Sequence, residues 1–365
     1  MGSNLPYRSF AIFRNYYASK EKSLIPMRSS VPITILTQPP LSLKQQALSL
    51  KLRMEHFVRC TKRAVCGQSL PPSPFARGTM GGPAAVRNSL LRGLDQSGIS
   101  YRYNPPEFST TSTVGVLSGI DALRWAIQAK QDGCIRRLIA GPNLVVSALD
   151  ENGILLDPSI DCVITPCPWV RQMYLEKAPV LAGKLVEWPA GVDEHHWKPS
   201  QQPDTRQYDF LVYAKFQEPE NAPLLERITQ TLKQRKLSFH LLRYGSYTPA
   251  DYLTFLQNSR ALVFLSESES QGIAQFEAWA CDVPVLAWDR GLWRSGTESS
   301  PASSCPFLTN ENGLRFKGEN DWDAVLESFL LRRSEFHPRD FITRHYTLEL
   351  SARDYVKICT GGENM

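Results

Sequence analysis

Short β-branched or apolar runs alternate with helical patterns along most of this chain, and that alternation restricts it to a parallel α/β architecture. Residues 31–37 (VPITILT) read as a buried strand closed by Gln38-Pro39-Pro40. After Gly81-Gly82-Pro83, the apolar positions Val86, Leu90, Leu91 and Leu94 recur at helical spacing and stop near Gly98. Strand-like runs follow at 114–117, 138–140, 162–165 and 184–187, with helical segments between several of them. Residues 188–199 (WPAGVDEHHWKP) show little periodicity and carry two flanking prolines, which reads as a linker. A second series then begins. Strands are expected at 210–214, 239–243, 261–265 and 283–287, and helices at 222–235, 249–258, 272–280, 321–331 and 347–358. Strands and helices at this spacing form βα units on parallel sheets.

A chain of 365 residues has room for two such domains. The expected division is a basic extension over 1–30, a first Rossmann-like domain over 31–195, a second over 196–345, and a C-terminal helix over 346–365 that crosses back to the first. The first domain would carry a basic insertion at 41–78. The stretch 295–304 (SGTESSPASS) is expected to be a polar, mobile loop.

Charge is unevenly spread. Residues 1–78 hold twelve Lys/Arg against Glu21 and Glu55, a net +10, and the rest of the chain is left at −5. A basic leading segment on a mildly acidic body suits peripheral contact with an anionic membrane surface, or simply a solvated extension. No nucleic-acid motif accompanies it. The first thirty residues are Arg/Lys- and Ser-containing and nearly free of acids, as transit peptides are; a start at Met27 reads equally well. No apolar run is long enough for a transmembrane helix. The eight cysteines form no C-x-x-C pair, so a reducing compartment is expected, and a cytoplasmic location with it. No metal-binding motif of Asp-x-Asp type closes a strand, and no metal or other cofactor is expected.

The chemistry concentrates at 261–288 (ALVFLSESESQGIAQFEAWACDVPVLAW). An apolar strand runs into a Ser/Glu-rich turn, and Gly272 opens a helix. In parallel α/β sheets ligands bind at the carboxyl ends of the strands, so this turn faces a ligand. Gly272 allows close backbone approach, and free amides at a helix N-terminus suit a diphosphate. Glu277, five residues on, suits neutral hydroxyls such as those of a ribose. Glu269 precedes the helix and would lie nearer a sugar. A lone glutamate near a helix N-terminus more often serves the helix itself. It is the pair, with Gly272 between them and a strand before, that points to a ligand.

Here the sequence resembles retaining glycosyltransferases of the GT-B fold, of the broad family 4 (group 1) type. ESQGIAQFEAWACDVPVLA resembles that family's Glu-x7-Glu signature and the helix and strand that follow it. Gly81-Gly82 before a helix resembles its glycine-rich first loop. WPAGVDEHHWKP resembles its interdomain segment, with Trp197 in the aromatic place, and ENGLRFKGENDWDAVLESFL resembles its late strand–loop–helix. The likeness spans about residues 78–360.

The resemblance implies two Rossmann-like domains whose sheets face across a cleft, binding a nucleoside-diphosphate sugar and a glycan or lipid-linked acceptor. Glu277 would hold the donor ribose and Glu269 the donor sugar. Gly272 and Ile273 would offer amides to the diphosphate, beside Ser270, Gly81 and Gly82. Lys215 stands where the family has Arg and would neutralise the leaving phosphates. The family's second Lys is replaced by residues 218–221, and Arg243 is the candidate to compensate. The His that many relatives place in the first domain is missing from LIAGPNLVV, where Asn143 is the nearest polar residue. His195 and His196 are expected as interdomain contacts and His240 as structural. Retention of configuration follows from the resemblance alone. Two other readings stay open: a sugar-nucleotide epimerase on the same architecture, and a non-catalytic GT-B-like subunit that binds a glycan or partner.

Overall fold

The structure, a computed structural model, describes residues 33–40, 81–106, 108, 111–202, 205–216, 220–295 and 298–361. The basic extension over 1–30, the insertion at 41–78 and residues 218 and 219 of the stretch that replaces the second lysine lie outside the described residues.

The first lobe is built on β1 (Ile33–Leu36), α1 (Gly82–Gln96), β2 (Tyr101–Tyr103), β3 (Thr111–Ser118), α2 (Ile120–Gln131), β4 (Ile135–Asn143), β5 (Cys162–Thr165), α3 (Pro168–Lys177) and β6 (Leu185–Glu187). Its strands run in the order β2-β1-β3-β4-β5-β6, and every neighbouring pair is parallel. The second lobe holds β7 (Phe210–Lys215), α4 (Ala222–Gln234), β8 (Phe239–Arg243), α5 (Pro249–Gln257), β9 (Leu262–Ser266), α6 (Ile273–Ala280) and β10 (Val285–Trp288). After these come β11 (Leu292–Ser295), β12 (Glu298–Pro301), β13 (Gly313–Phe316) and α7 (Glu319–Arg332). Helices α8 (Pro338–His345) and α9 (Leu348–Thr360) close the described chain.

The second sheet has the order β13-β10-β9-β7-β8, again all parallel. Read from β8, this repeats the arrangement of the first sheet. Each sheet therefore reverses its strand order once, between β1 and β3 and between β7 and β9. The connections diverge there and leave a crevice at the strand carboxyl ends.

Alternation along β7 shows why these runs read as almost wholly apolar. Phe210, Val212 and Ala214 pack with Leu225, Ile228 and Trp322 on one face. Leu211 and Tyr213 pack with Tyr252, Phe276 and Trp279 on the other. A parallel sheet covered on both faces needs apolar side chains at every position.

Helix α9 lies against α1 and β3 of the first lobe. Gly93 makes that approach possible, because a Cβ there would sit 2.2 Å from the Leu348 carbonyl oxygen. The Trp188 indole donates to the Ser351 carbonyl at 2.8 Å, and Arg137 donates to the Ile358 carbonyl at 3.2 Å.

Three details differ from the expectations. Residues 101–103 form a strand that the sequence did not signal, a three-residue edge with half-exposed tyrosines. The polar stretch around 295–304 is not simply a loop, since β11 and β12 pair there as an antiparallel hairpin. In the linker, Asp193 makes the contact expected of the histidines. It accepts from the backbone amides of His195 and His196 and pairs with Arg92 of α1, while the His195 side chain is 81% exposed. His240 is packed as expected, stacked on Phe255 at 4.0 Å.

Candidate functional site

The reversal point of the second sheet assembles the strongest polar cluster. Strands β7 and β9 are adjacent, and their last residues, Lys215 and Ser266, are register partners. The chain leaving β9 turns so that Glu269 comes back over both. Its Oε1 accepts from Lys215 Nζ at 2.7 Å and from Ser266 Oγ at 2.9 Å. The Glu269 side chain is only 13% exposed. Lys215 also lies 5.0 Å from the centre of the exposed Tyr244 ring.

Gly272 caps α6 in the left-handed conformation, at φ 66° and ψ 35°. A Cβ there would meet the Gln275 amide oxygen at 2.5 Å, so conformation and space both favour glycine. The amides of Gly272, Ile273 and Ala274 donate no hydrogen bond among the described residues. They are the free donors of a helix start and carry the positive end of its dipole. The Ile273 side chain packs against the apolar core of the first lobe.

Glu277 lies in α6, close to Tyr247, Tyr252 and Cys281. Its carboxylate has no hydrogen-bond or ion-pair partner among the described residues. Burial pushes that carboxyl up to about 8. Around it, the Tyr213 and Tyr247 hydroxyls hydrogen-bond each other at 2.6 Å, and the Tyr252 hydroxyl donates to the Ala274 carbonyl at 2.9 Å. Burial pushes the Tyr247 hydroxyl up to about 12, so the surroundings of Glu277 are neutral.

The remaining sequence candidates fall in two places. Arg243 ends β8, is exposed, and is the register partner of Ala214. Ser270 is exposed beside Glu269 and lines a cavity of about 430 Å³ between the lobes. Across that cavity stand Pro83, which follows Gly81 and Gly82 at the start of α1, and Asn143 at the end of β4. A Cβ on Gly82 would meet nothing within 4 Å.

Two contributors escaped the sequence reading. Ser266 was merged into the polar turn, although a hydroxyl at the last position of an apolar strand marks the ligand end. Trp169, at the start of α3, donates from its indole to the Glu269 carbonyl at 2.8 Å and so ties the first lobe to the site. The signal for it was a tryptophan directly after a strand, in TPCPW. Among the described residues no group of His, Cys, Asp and Glu is arranged to hold a metal ion, and no helix is long and apolar enough to cross a membrane.

No family model matches the chain, and no curated protein matches it. Solved structures do. The apo form of WaaB, a lipopolysaccharide outer core galactosyltransferase, superimposes with a TM-score of 0.54 at 10% identity, over 91% of this chain and all of that one. Sucrose-phosphate synthase from Thermosynechococcus elongatus aligns at a TM-score of 0.48 and 13% identity, over 91% and 99% of the two chains. At such identities the likeness concerns the fold. The chain has the GT-B fold, two Rossmann-like lobes with parallel sheets meeting at a cleft.

Proposed function

We propose that this protein is a glycosyltransferase that moves a sugar from a nucleoside-diphosphate donor to a hydroxyl acceptor, with the donor in the second lobe and the acceptor in the first. The observation that carries the reading is the convergence, at one reversal point, of a lysine, a shielded glutamate, a glycine-led helix start and an unpartnered, partly buried carboxyl group. Fold alone would not carry it, because folds host many chemistries.

The parts divide the work by charge. Glu277 cannot hold phosphate, but it can accept hydrogen bonds from the 2′- and 3′-hydroxyls of a ribose, each worth about 0.5–1.5 kcal/mol while the carboxyl is protonated and about 1.5–3 kcal/mol once it is ionised. The amides of Gly272 and Ile273 would receive the diphosphate. Lys215, with its ammonium at the strand end, would neutralise the charge that develops as the sugar departs. Glu269 would orient the sugar by its hydroxyls. Arg243, Ser270, Gly81 and Gly82 border this path. Transfer with retention and without a metal belongs to this proposal on the resemblance alone. A peripheral position at the inner face of a membrane would fit the basic leading segment.

Thermal stability tests this. The protein is melted with UDP, GDP, ADP, TDP and CMP, beside Glu277→Ala. A nucleotide at 100 times its Kd adds about 2.7 kcal/mol. One nucleotide should raise the midpoint strongly in the wild type and weakly in the variant. No response to any of them at millimolar concentration sinks the proposal.

A further inference from the structure

The cavity between the lobes has a chemical asymmetry that bears on the acceptor. Its volume of about 430 Å³ falls in the ~300–1,000 Å³ range of pockets that enclose drug-sized ligands. Its first-lobe wall is made of carbon, including Val145, Val146, Trp169, Val170, Met173 and Tyr174. Three polar groups in that wall are already engaged within the protein. The Trp169 indole N–H donates to the Glu269 carbonyl at 2.8 Å, and the Tyr174 hydroxyl donates to the Val145 carbonyl at 2.9 Å. The Val146 amide donates to Asp150 at 3.1 Å. These groups present rings and methyls to the cavity.

Side-chain polarity collects at Ser268, Glu269 and Ser270 of the second lobe and at Asn143 of the first. The Asn143 Nδ2 is fully enclosed and has no hydrogen-bond partner. It marks this end of the cavity as the polar one. Apart from Glu269, the only ionisable side chain on the lining among the described residues is Tyr174, whose hydroxyl burial pushes further up and keeps neutral.

A sugar acceptor carries hydroxyls around its whole ring. Set against this wall it would use only its C–H face, and its hydroxyls would gain little there. A molecule with one polar end and an apolar ring body meets both halves of the cavity. We propose that the acceptor is a small alcohol or phenol with an apolar, aromatic-sized body, seated on Trp169 and Val146 with its hydroxyl toward Asn143 and Glu269. This rests on the glycosyl-transfer reading for its chemistry, but the binding itself does not.

The test is equilibrium binding to the full chain, read by quenching of tryptophan fluorescence and by calorimetry. The probes are 4-methylumbelliferone, a phenol of this size, and methyl α-glucoside. The expected result is saturable binding of the phenol at micromolar to low millimolar concentration, at least tenfold tighter than the glucoside. Val146→Asp places a charge on the wall at a residue 61% exposed, where folding is insensitive to it, and should weaken the phenol at least tenfold with an unchanged melting midpoint. Asn143→Leu should weaken it less and spare the apolar contact.

Binding of the glucoside in preference to the phenol overturns the proposal. So does binding of neither, or a Val146→Asp variant that binds the phenol as well as the wild type. Phenol binding that responds to Val146→Asp, without transfer from any nucleotide sugar, supports the cavity assignment and counts against the glycosyl-transfer reading alone.

Discussion

Replacing Glu277 by glutamine should stabilise the protein above pH 8 and leave it nearly unchanged at pH 5. Burial raises this carboxyl from an ordinary 4.5 to about 8. Between those two values the unfolded chain has released the proton while the folded chain still holds it. Stability therefore falls as pH rises through that window and is flat on either side. The facing groups Tyr247, Tyr252 and Cys281 are all displaced upward themselves and stay neutral across it. At about 1.4 kcal/mol per pH unit, the full displacement sets a ceiling of about 5 kcal/mol. Glu277 keeps partial solvent contact, which screens the charge, and about 2 kcal/mol is the expected remainder. Glutamine has the shape of the protonated acid and carries no charge, so Glu277→Gln removes the pH-dependent loss. Urea denaturation of both proteins at pH 5.0, 7.0 and 8.5 checks this. The gain should grow across the series and reach about 2 kcal/mol at pH 8.5, while nucleotide-induced stabilisation is lost. An equal gain at all three pH values, or a loss at pH 8.5, refutes the reasoning.

Lys215→Ala should lower turnover by about 10²–10³-fold, the usual effect of removing one transition-state donor, with a smaller change in donor KM; initial rates over donor concentration check it. Trp169→Phe deletes the 2.8 Å indole bond to the Glu269 carbonyl while keeping a ring in place. It should cost about 1 kcal/mol in a urea melt and raise the acceptor KM. Gly93→Ala places a methyl 2.2 Å from the Leu348 carbonyl, so α1 and α9 must separate. A destabilisation of about 1–3 kcal/mol is expected, and a change under about 0.5 kcal/mol would mean that α9 is not seated as described.

The two parallel sheets were legible because their strands are buried on both faces. Runs such as Leu262–Ser266 are apolar at almost every position and closed by turn residues, which no amphipathic helix matches. Elements lacking that burial were not legible. Tyr101–Tyr103 is three residues at an edge, and β11 and β12 are four residues each with little apolar content in β12, so neither shows a period. The site divided along a similar line. Glu269, Gly272 and Glu277 lie within nine residues, and their spacing could be read directly. The bond between Lys215 and Glu269 spans 54 residues and exists because β7 and β9 are neighbours. Strand order is set by how the connections pack, which the alternation of strands and helices leaves open. Trp169 is further removed still, since its role depends on how one lobe meets the other.

The same bond bears on how the site must operate. Lys215 is the ammonium at the end of β7, and Glu269 is the carboxylate held over it. A lysine fully committed to Glu269 offers little to a diphosphate, and a glutamate committed to Lys215 offers one oxygen fewer to a sugar. The two proposed roles are therefore coupled. A diphosphate arriving at the Gly272 helix start would draw Lys215 toward it and free Glu269 Oε1, which keeps the Ser266 hydroxyl as its remaining donor at 2.9 Å. That hydroxyl would keep the proposed exchange from leaving a shielded carboxylate without a partner, a state that costs more than a lost surface ion pair. In the proposed reaction Ser266 would thus let a tight lysine–glutamate pair act as a hand-over point between phosphate and sugar.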